Sequence, residues 1–234
     1  MISRLFKLLK RENKINEHKK KFFINKLDSL ISDFAIIFDV GSYEGGFIDN
    51  VLRFNKSAQF HCFEPYSKSF DFLFRKYTDK KNILINRNAV SNFNGEVLLN
   101  VNAFLETNSL LESQKVDSSI DSLIEKKETE LVSVISLTDY CFEKKIEHID
   151  LIKIDAQGNS FQVLQGLFEM LKNKQIRYLY VEVEFIEIYK NEKLFAEIDM
   201  FMKALNYQII DFYNFNYLNE YNLAWCDVLY GTKN

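Results

Sequence analysis

"FDVGSYEGGF", Phe38 to Phe47, follows the apolar run "FAII" and holds Gly41, Gly45 and Gly46, three of the seven glycines in a chain of 234 residues. A strand that ends in a glycine turn and runs on into a helix lets a ligand approach the backbone at the carboxyl end of a parallel sheet. Gly41 is read as the residue that frees the turn. Gly45 and Gly46 keep the loop and the helix start uncluttered, and Asp39 sits where the strand runs out. The spacing is G-x-x-x-G-G, which is not the G-x-G-x-x-G of dinucleotide folds.

Outward from this turn, strand-like and helix-like segments alternate. Strands are expected at 35–41, 59–65, 83–90, 149–158 and 177–184, with helices around 44–54, 67–78, 160–172 and 192–206. Such alternation predicts an α/β fold, a doubly wound and mostly parallel sheet. Two closing strand patterns, 207–213 and 226–233, have no helical pattern between them and predict an antiparallel C-terminal pair. Between residues 93 and 137 the alternation breaks into extra β pieces, 95–102 and 131–137. They flank a Ser-, Glu- and Lys-rich stretch, 112–130, expected to be a loop or short helix and a lid. The division expected is a basic helical extension over 1–31 and a single domain over 32–234.

The second strand ends in "FEP", about twenty residues past the glycine turn. Glu64 stands at its tip, where an acidic side chain can accept both hydroxyls of an adenosine ribose.

Composition bounds the alternatives. A 47% hydrophobic, 27% charged chain is that of a globular protein. The net charge of -3 gives no global attraction for phosphate backbones, so no nucleic-acid partner is expected. Residues 1–31 are the exception: nine Lys and Arg against three acids give +6 there and -9 for the remainder. Leucines and phenylalanines interleave with these charges, so the segment is read as a helix packed on the domain or as an amphipathic contact with the inner face of a membrane. No apolar run is long enough to span a membrane and no signal-peptide pattern is seen, which predicts a cytoplasmic protein. Cys62, Cys141 and Cys226 are far apart and without C-x-x-C pairing, which predicts buried reduced thiols and no metal.

The ordered series "FDVGSYEGGF", "FEP", "NAVSNFNGEV", "NSL", "VSVISLTDYC", "IDLIKIDAQGNSFQVLQG" and "YVEVEFIEIYKNEKLF" resembles the FkbM-type methyltransferases, from about Ile36 to Tyr230. The resemblance implies a class I, Rossmann-like methyltransferase domain that uses S-adenosyl-L-methionine. It implies that Asp39, Gly41 and Gly45 line the methionine portion of the cofactor, Glu64 the ribose, and Asn88 with Ala89 the adenine. Asp155 is implied near the methyl group, and Ser42, Tyr43 and Pro65 complete the cofactor set. Two departures stand out: Tyr43 occupies a position where the family usually has Asn, and Gln157, Gly158, Asn159 and Ser160 stand where Glu-Gly-Ala-Glu is frequent.

Methyl transfer to an alcohol needs alignment and a proton acceptor. His18, His61 and His148 are poorly placed for that role, so the base is expected among the strand-tip carboxylates Asp155, Glu182 and Glu184, the last two sharing one strand face. Asn108 and Ser109 are expected to reach the acceptor from the inserted segment, since the family has a Ser-Leu pair there. Tyr213, with Phe215, Tyr217 and Trp225, is read as an aromatic wall for the acceptor or as sheet packing. The function expected is O-methylation of a sugar or other small molecule, in glycan or secondary-metabolite biosynthesis, with a homo-oligomer left open. The alternatives are a nicotinamide-dependent oxidoreductase and a non-catalytic scaffold that kept the cofactor fold.

Overall fold

The computed structural model of the chain describes residues 26–219 and 221–232. The basic amphipathic helix expected over 1–31 lies, as far as residue 25, outside the described residues. Among the described residues ten strands form: β1 Ile36–Val40, β2 Gln59–Phe63, β3 Ile83–Asn86, β4 Ala89–Ser91, β5 Gly95–Asn102, β6 Lys126–Ser136, β7 Ile149–Ile154, β8 Ile176–Glu184, β9 Tyr207–Tyr217 and β10 Leu223–Thr232. Seven of them make one sheet in the order β3-β2-β1-β7-β8-β10-β9, and the other three a small sheet, β4-β6-β5. In the large sheet β10 runs antiparallel to both β8 and β9, while β1, β2, β3, β7 and β8 pair in parallel. The strand order reverses between β1 and β7, the switch point beside which open α/β sheets bind ligands.

Period-2 alternation sorts β1, β7, β8 and β10 onto two faces. Phe38, Ile152, Ile154, Val181, Val183, Cys226 and Val228 enter one buried cluster, closed by the helices Leu137–Lys144, Ser160–Gly166, Phe168–Lys172 and Phe195–Ala204. Ile37, Leu151, Tyr180 and Leu229 enter the other, under Ile48 and Val51 of helix Gly46–Leu52 and Leu73 of helix Ser67–Lys76. Leu27 and Ile31 also pack into this second core. Along that second face the same alternation places Asp39 two residues past Ile37, Lys153 two past Leu151, and Glu182 and Glu184 past Tyr180. The face is thus apolar toward the start of the strands and charged at their carboxyl ends.

Three sequence expectations change in detail. The strand expected at 83–90 is two strands: pairing with β2 stops at Asn86, and Ala89–Ser91 leaves to pair with β6 in the small sheet. The helix expected at 160–172 is two short helices that meet at Leu167. "LTDYCFEK", read as following a strand that ran to 137, forms the helix Leu137–Lys144, which buries Leu137, Tyr140 and Cys141. Among the described residues no helix is long and apolar enough to cross a membrane. All three cysteines are buried and free.

Candidate active site at the switch point

The opening glycine turn is built by close approach. Gly41 has φ +76°, and a Cβ placed on it would lie 1.9 Å from the Asp155 carbonyl oxygen, so only glycine lets the β1 turn touch the end of β7. Gly45, at φ +80°, caps helix Gly46–Leu52, and a Cβ there would meet the Tyr77 hydroxyl at 2.4 Å. Between them Tyr43 is held at φ +45°. This left-handed conformation suits Asn better than an aromatic residue. The Tyr43 N–H donates to Glu64 Oε2 at 2.8 Å, which fixes the loop to the tip of β2.

Glu64 is 7% exposed, and its Oε1 accepts the Tyr66 N–H at 3.0 Å. Burial pushes its carboxyl up to about 7, against the pull of the two backbone donors. Each oxygen accepts one bond and keeps a further lone-pair site.

Lys153 organises the floor. Its Nζ donates to the Gly41 carbonyl at 2.7 Å and stands 3.4 Å from Asp39 Oδ1 and 3.3 Å from Asp155 Oδ2. Burial disfavours its charge, but Asp155 and Asp39 outweigh that, so the ammonium is held above its ordinary range. Asp39 is fully buried, and burial raises its carboxyl despite Lys153. For Asp155 the balance falls the other way: burial works against its charge, yet Lys153, Glu182 and Gln157 together hold it below its usual range. Glu182 is hydrogen-bonded to Asp155 and, through burial and then the Asp155 charge, lies well above the usual carboxylate range. The two carboxyls are thus pushed apart in acidity, Asp155 toward its ionised form and Glu182 toward its neutral one.

Gln157, at φ +47°, ties this pair together. Its Nε2 donates to Asp155 Oδ1 at 2.8 Å and to Glu182 Oε2 at 2.9 Å, while its Oε1 accepts the Tyr189 hydroxyl at 2.8 Å. Ser109 Oγ donates to the Gln157 carbonyl at 2.6 Å, so the inserted segment braces the turn. On β10, opposite Glu182 in register, Asp227 Oδ2 accepts the Tyr180 hydroxyl at 2.7 Å and Asn214 Nδ2 at 2.6 Å. Burial pushes Asp227 up to about 6.

These groups surround one cavity of about 570 Å³, a size typical of small-molecule sites. Of the residues singled out from sequence, Gly41, Ser42, Tyr43, Glu64, Pro65, Asn88, Ala89, Asn108, Asp155, Glu182 and Glu184 line it. Four others do not. Asp39 lies beneath the floor against Lys153, Gly45 packs on Tyr77, and Ser109 stands behind Gln157. Tyr213 is buried against Tyr180 with its hydroxyl on Asp211, which is sheet packing, whereas Trp225 does line the cavity. The cap of helix Ser160–Gly166 is Asn159, which leaves the Asp155 carboxyl to the cavity. His61 is held by Tyr140, its Nδ1 and that hydroxyl 2.8 Å apart, and burial lowers it to about 4. From the insert, Phe104, Leu105, Glu106, Leu110, Ile120, Leu123 and Ile124 supply the far wall.

Sequence reasoning passed over Lys153, Tyr189 and Asp227. A signal existed for the first: Lys153 is two residues before Asp155 on a strand, hence on the same face. Asp227 could be found only from the β8–β10 register.

Residues 39–209 match the model of the methyltransferase FkbM domain. The chain belongs to the FkbM methyltransferase family. It is a class I methyltransferase fold whose methyl donor is S-adenosylmethionine. Solved structures agree on the fold. An rRNA methylase from Streptococcus thermophilus is 12% identical with a TM-score of 0.51, covering 91% of this chain and 95% of its own. Precorrin-6y C5,15-methyltransferase from Geobacter metallireducens is 7% identical with a TM-score of 0.51, covering 92% and 87%. No curated protein sequence matches the chain. The family match sets aside the nicotinamide-dependent oxidoreductase.

The FkbM residues present here fit the cofactor. Glu64 offers two free lone-pair sites at the tip of β2, Gly46 has open space where a Cβ would project, and Asn88 and Ala89 stand beyond β3 on the cavity wall.

Proposed function

We propose that this methyltransferase O-methylates a sugar or another small hydroxyl compound, with the cofactor over β1, β2 and β3 and the acceptor over β7, β8 and β10. The observation that carries the reading is the pair of carboxyls on the cavity wall, Asp155 and Glu182, tied together by Gln157 Nε2 at 2.8 and 2.9 Å. When bound, S-adenosylmethionine supplies an electrophilic methyl group on a cationic sulfur. Glu64 grips the ribose, and the Gly41–Gly46 loop receives the amino-acid tail. Lys153 keeps Asp155 ionised beside the switch point. With the cofactor bound, the acceptor oxygen would take the methyl group as the carbon–sulfur bond breaks, leaving S-adenosylhomocysteine, and the acceptor's proton would pass to the Asp155–Glu182 pair. Such proton removal contributes roughly 10²- to 10⁴-fold. Gln157 holds both carboxyls in place and itself carries no charge to take up the proton.

Six carboxyls and one ammonium line the cavity among the described residues. That ammonium is engaged by Asp39 and Asp155, so a phosphodiester acceptor would find no free cationic partner among the described residues of the wall, which favours a small neutral or cationic acceptor over RNA. The test is transfer of labelled methyl from S-adenosylmethionine to monosaccharides and polyols, with total RNA as the competing arm. Label in the small-molecule fraction is expected. Label in RNA would replace this reading, and binding of the cofactor with no transfer to any acceptor would favour a scaffold.

A further inference from the structure

The far end of the cavity holds more carboxyl groups than methyl transfer to a neutral alcohol requires, and burial raises Glu184 well above the usual carboxylate range. Glu182 faces Asp227, and Glu184 faces Trp225, as directly opposed pairs of the antiparallel β8 and β10, so these four side chains share one face. Glu184 is 3% exposed and lines the cavity, and its Oε2 has no hydrogen-bond partner among the described residues. Asp227 uses Oδ2 for both the Tyr180 hydroxyl and Asn214.

The one ammonium on the wall among the described residues, Lys153, is already engaged, donating to the Gly41 carbonyl and standing between Asp39 and Asp155. Nor does this group serve the cofactor as placed above. β8 and β10 are the second and third strands beyond β1, and neighbouring strands are about 4.8 Å apart. A metal ion is not the fitting occupant either, because among the described residues no three His, Cys, Asp or Glu side chains are grouped to hold one.

A buried carboxyl with an open acceptor, opposite a tryptophan in strand register, is matched by a cationic nitrogen, which would hold the carboxyl ionised and gain from charge-assisted hydrogen bonds and the neighbouring aromatic side chain together. We propose that Glu184 and Asp227, with Trp225, form an acceptor subsite for an alkylammonium group, so that the acceptor is an amino alcohol, such as an amino sugar, that presents its hydroxyl to Asp155 and Glu182. This rests on the reading that the same cavity holds cofactor and acceptor side by side.

The test uses the full chain saturated with S-adenosylhomocysteine and three probes of one size: ethanolamine hydrochloride, ethylene glycol and sodium glycolate, at matched ionic strength. Ligand-observed NMR titration should show ethanolamine binding at least tenfold more tightly than the other two. In the double variant Glu184→Gln, Asp227→Asn, whose fold is checked by its retained affinity for S-adenosylhomocysteine, that preference should fall at least tenfold. Equal affinity for all three probes, no binding of ethanolamine, or an unchanged preference in the double variant would overturn the subsite. So would displacement of ethanolamine by millimolar magnesium, which would assign the carboxyls to a metal. Should S-adenosylhomocysteine itself fail to bind, the placement of the cofactor fails first and this subsite with it.

Discussion

Replacing Glu64 by Gln probes the cofactor grip with little change of shape. The carboxylate accepts the N–H groups of Tyr43 and Tyr66, one on each oxygen, and is proposed to accept two ribose hydroxyls besides. Gln keeps one acceptor oxygen and turns an NH2 group toward the other backbone donor, so at least one charged hydrogen bond to the ribose is lost. A bond to a charged group contributes about 1.5–3 kcal/mol, so the dissociation constant for S-adenosylhomocysteine should rise roughly 10- to 150-fold.

Acidity sharpens the test. Burial raises the Glu64 carboxyl to about 7 in the free protein, and ribose hydroxyls donate to the ionised form. Affinity of the natural chain should therefore weaken as pH falls from 8 to 6, and the Gln variant should lack that part of the dependence. Calorimetric titration of both proteins at pH 6, 7 and 8 measures this directly. A variant that binds within twofold of the natural chain, with a parallel pH profile, would remove Glu64 from the cofactor site.

The stability of the free protein should rise on acidification from pH 8 to about 6, read as a higher midpoint in thermal denaturation. Glu64 and Glu192 are raised to about 7 and Asp227 to about 6, all chiefly by burial, so their protonated forms favour the folded state below these values and that contribution is lost as pH rises through them. For Glu64 alone the full span, from about 4.5 to about 7, corresponds to about 3 kcal/mol; a midpoint that falls between pH 8 and 6 would contradict this. Gly41→Ala forces a left-handed residue against the Asp155 carbonyl. It should cost at least about 2 kcal/mol, or roughly 4–8 °C in midpoint, and an unchanged midpoint would show that the turn relaxes freely. Lys153→Met leaves Asp39 and Asp155 buried without their cation and should destabilise by about 3–5 kcal/mol, less at pH 5 than at pH 8; equal losses at the two pH values would argue against a charge effect.

The sheet and its glycine turn were legible because both depend on short-range pattern. Period-2 alternation in "YVEVE" puts Glu182 and Glu184 on one face whatever lies above them, and Gly41 announces a turn that only its φ of +76° explains. What escaped depends on pairing across the chain. The break at Arg87 and Asn88 was hidden because "ILINRNAV" is apolar enough to read as one strand, although its two halves pair with different sheets. Helix Leu137–Lys144 begins one residue after a strand of eleven, with no proline or glycine to mark the boundary. Tyr213 and Trp225 looked alike in sequence. Sheet register sends the first onto Tyr180 and the second into the cavity beside Glu184.

The central claim is that the nucleoside is held at the tips of β1, β2 and β3, beside the point where the strand order reverses. A crystal structure of the complex with S-adenosylhomocysteine tests it most directly. The account predicts both ribose hydroxyls within hydrogen-bond distance of the Glu64 carboxylate, and the cofactor sulfur on the side of the cavity facing Asp155 and Glu182. A nucleoside seated elsewhere, with Glu64 bonded only to the Tyr43 and Tyr66 amides, would contradict it.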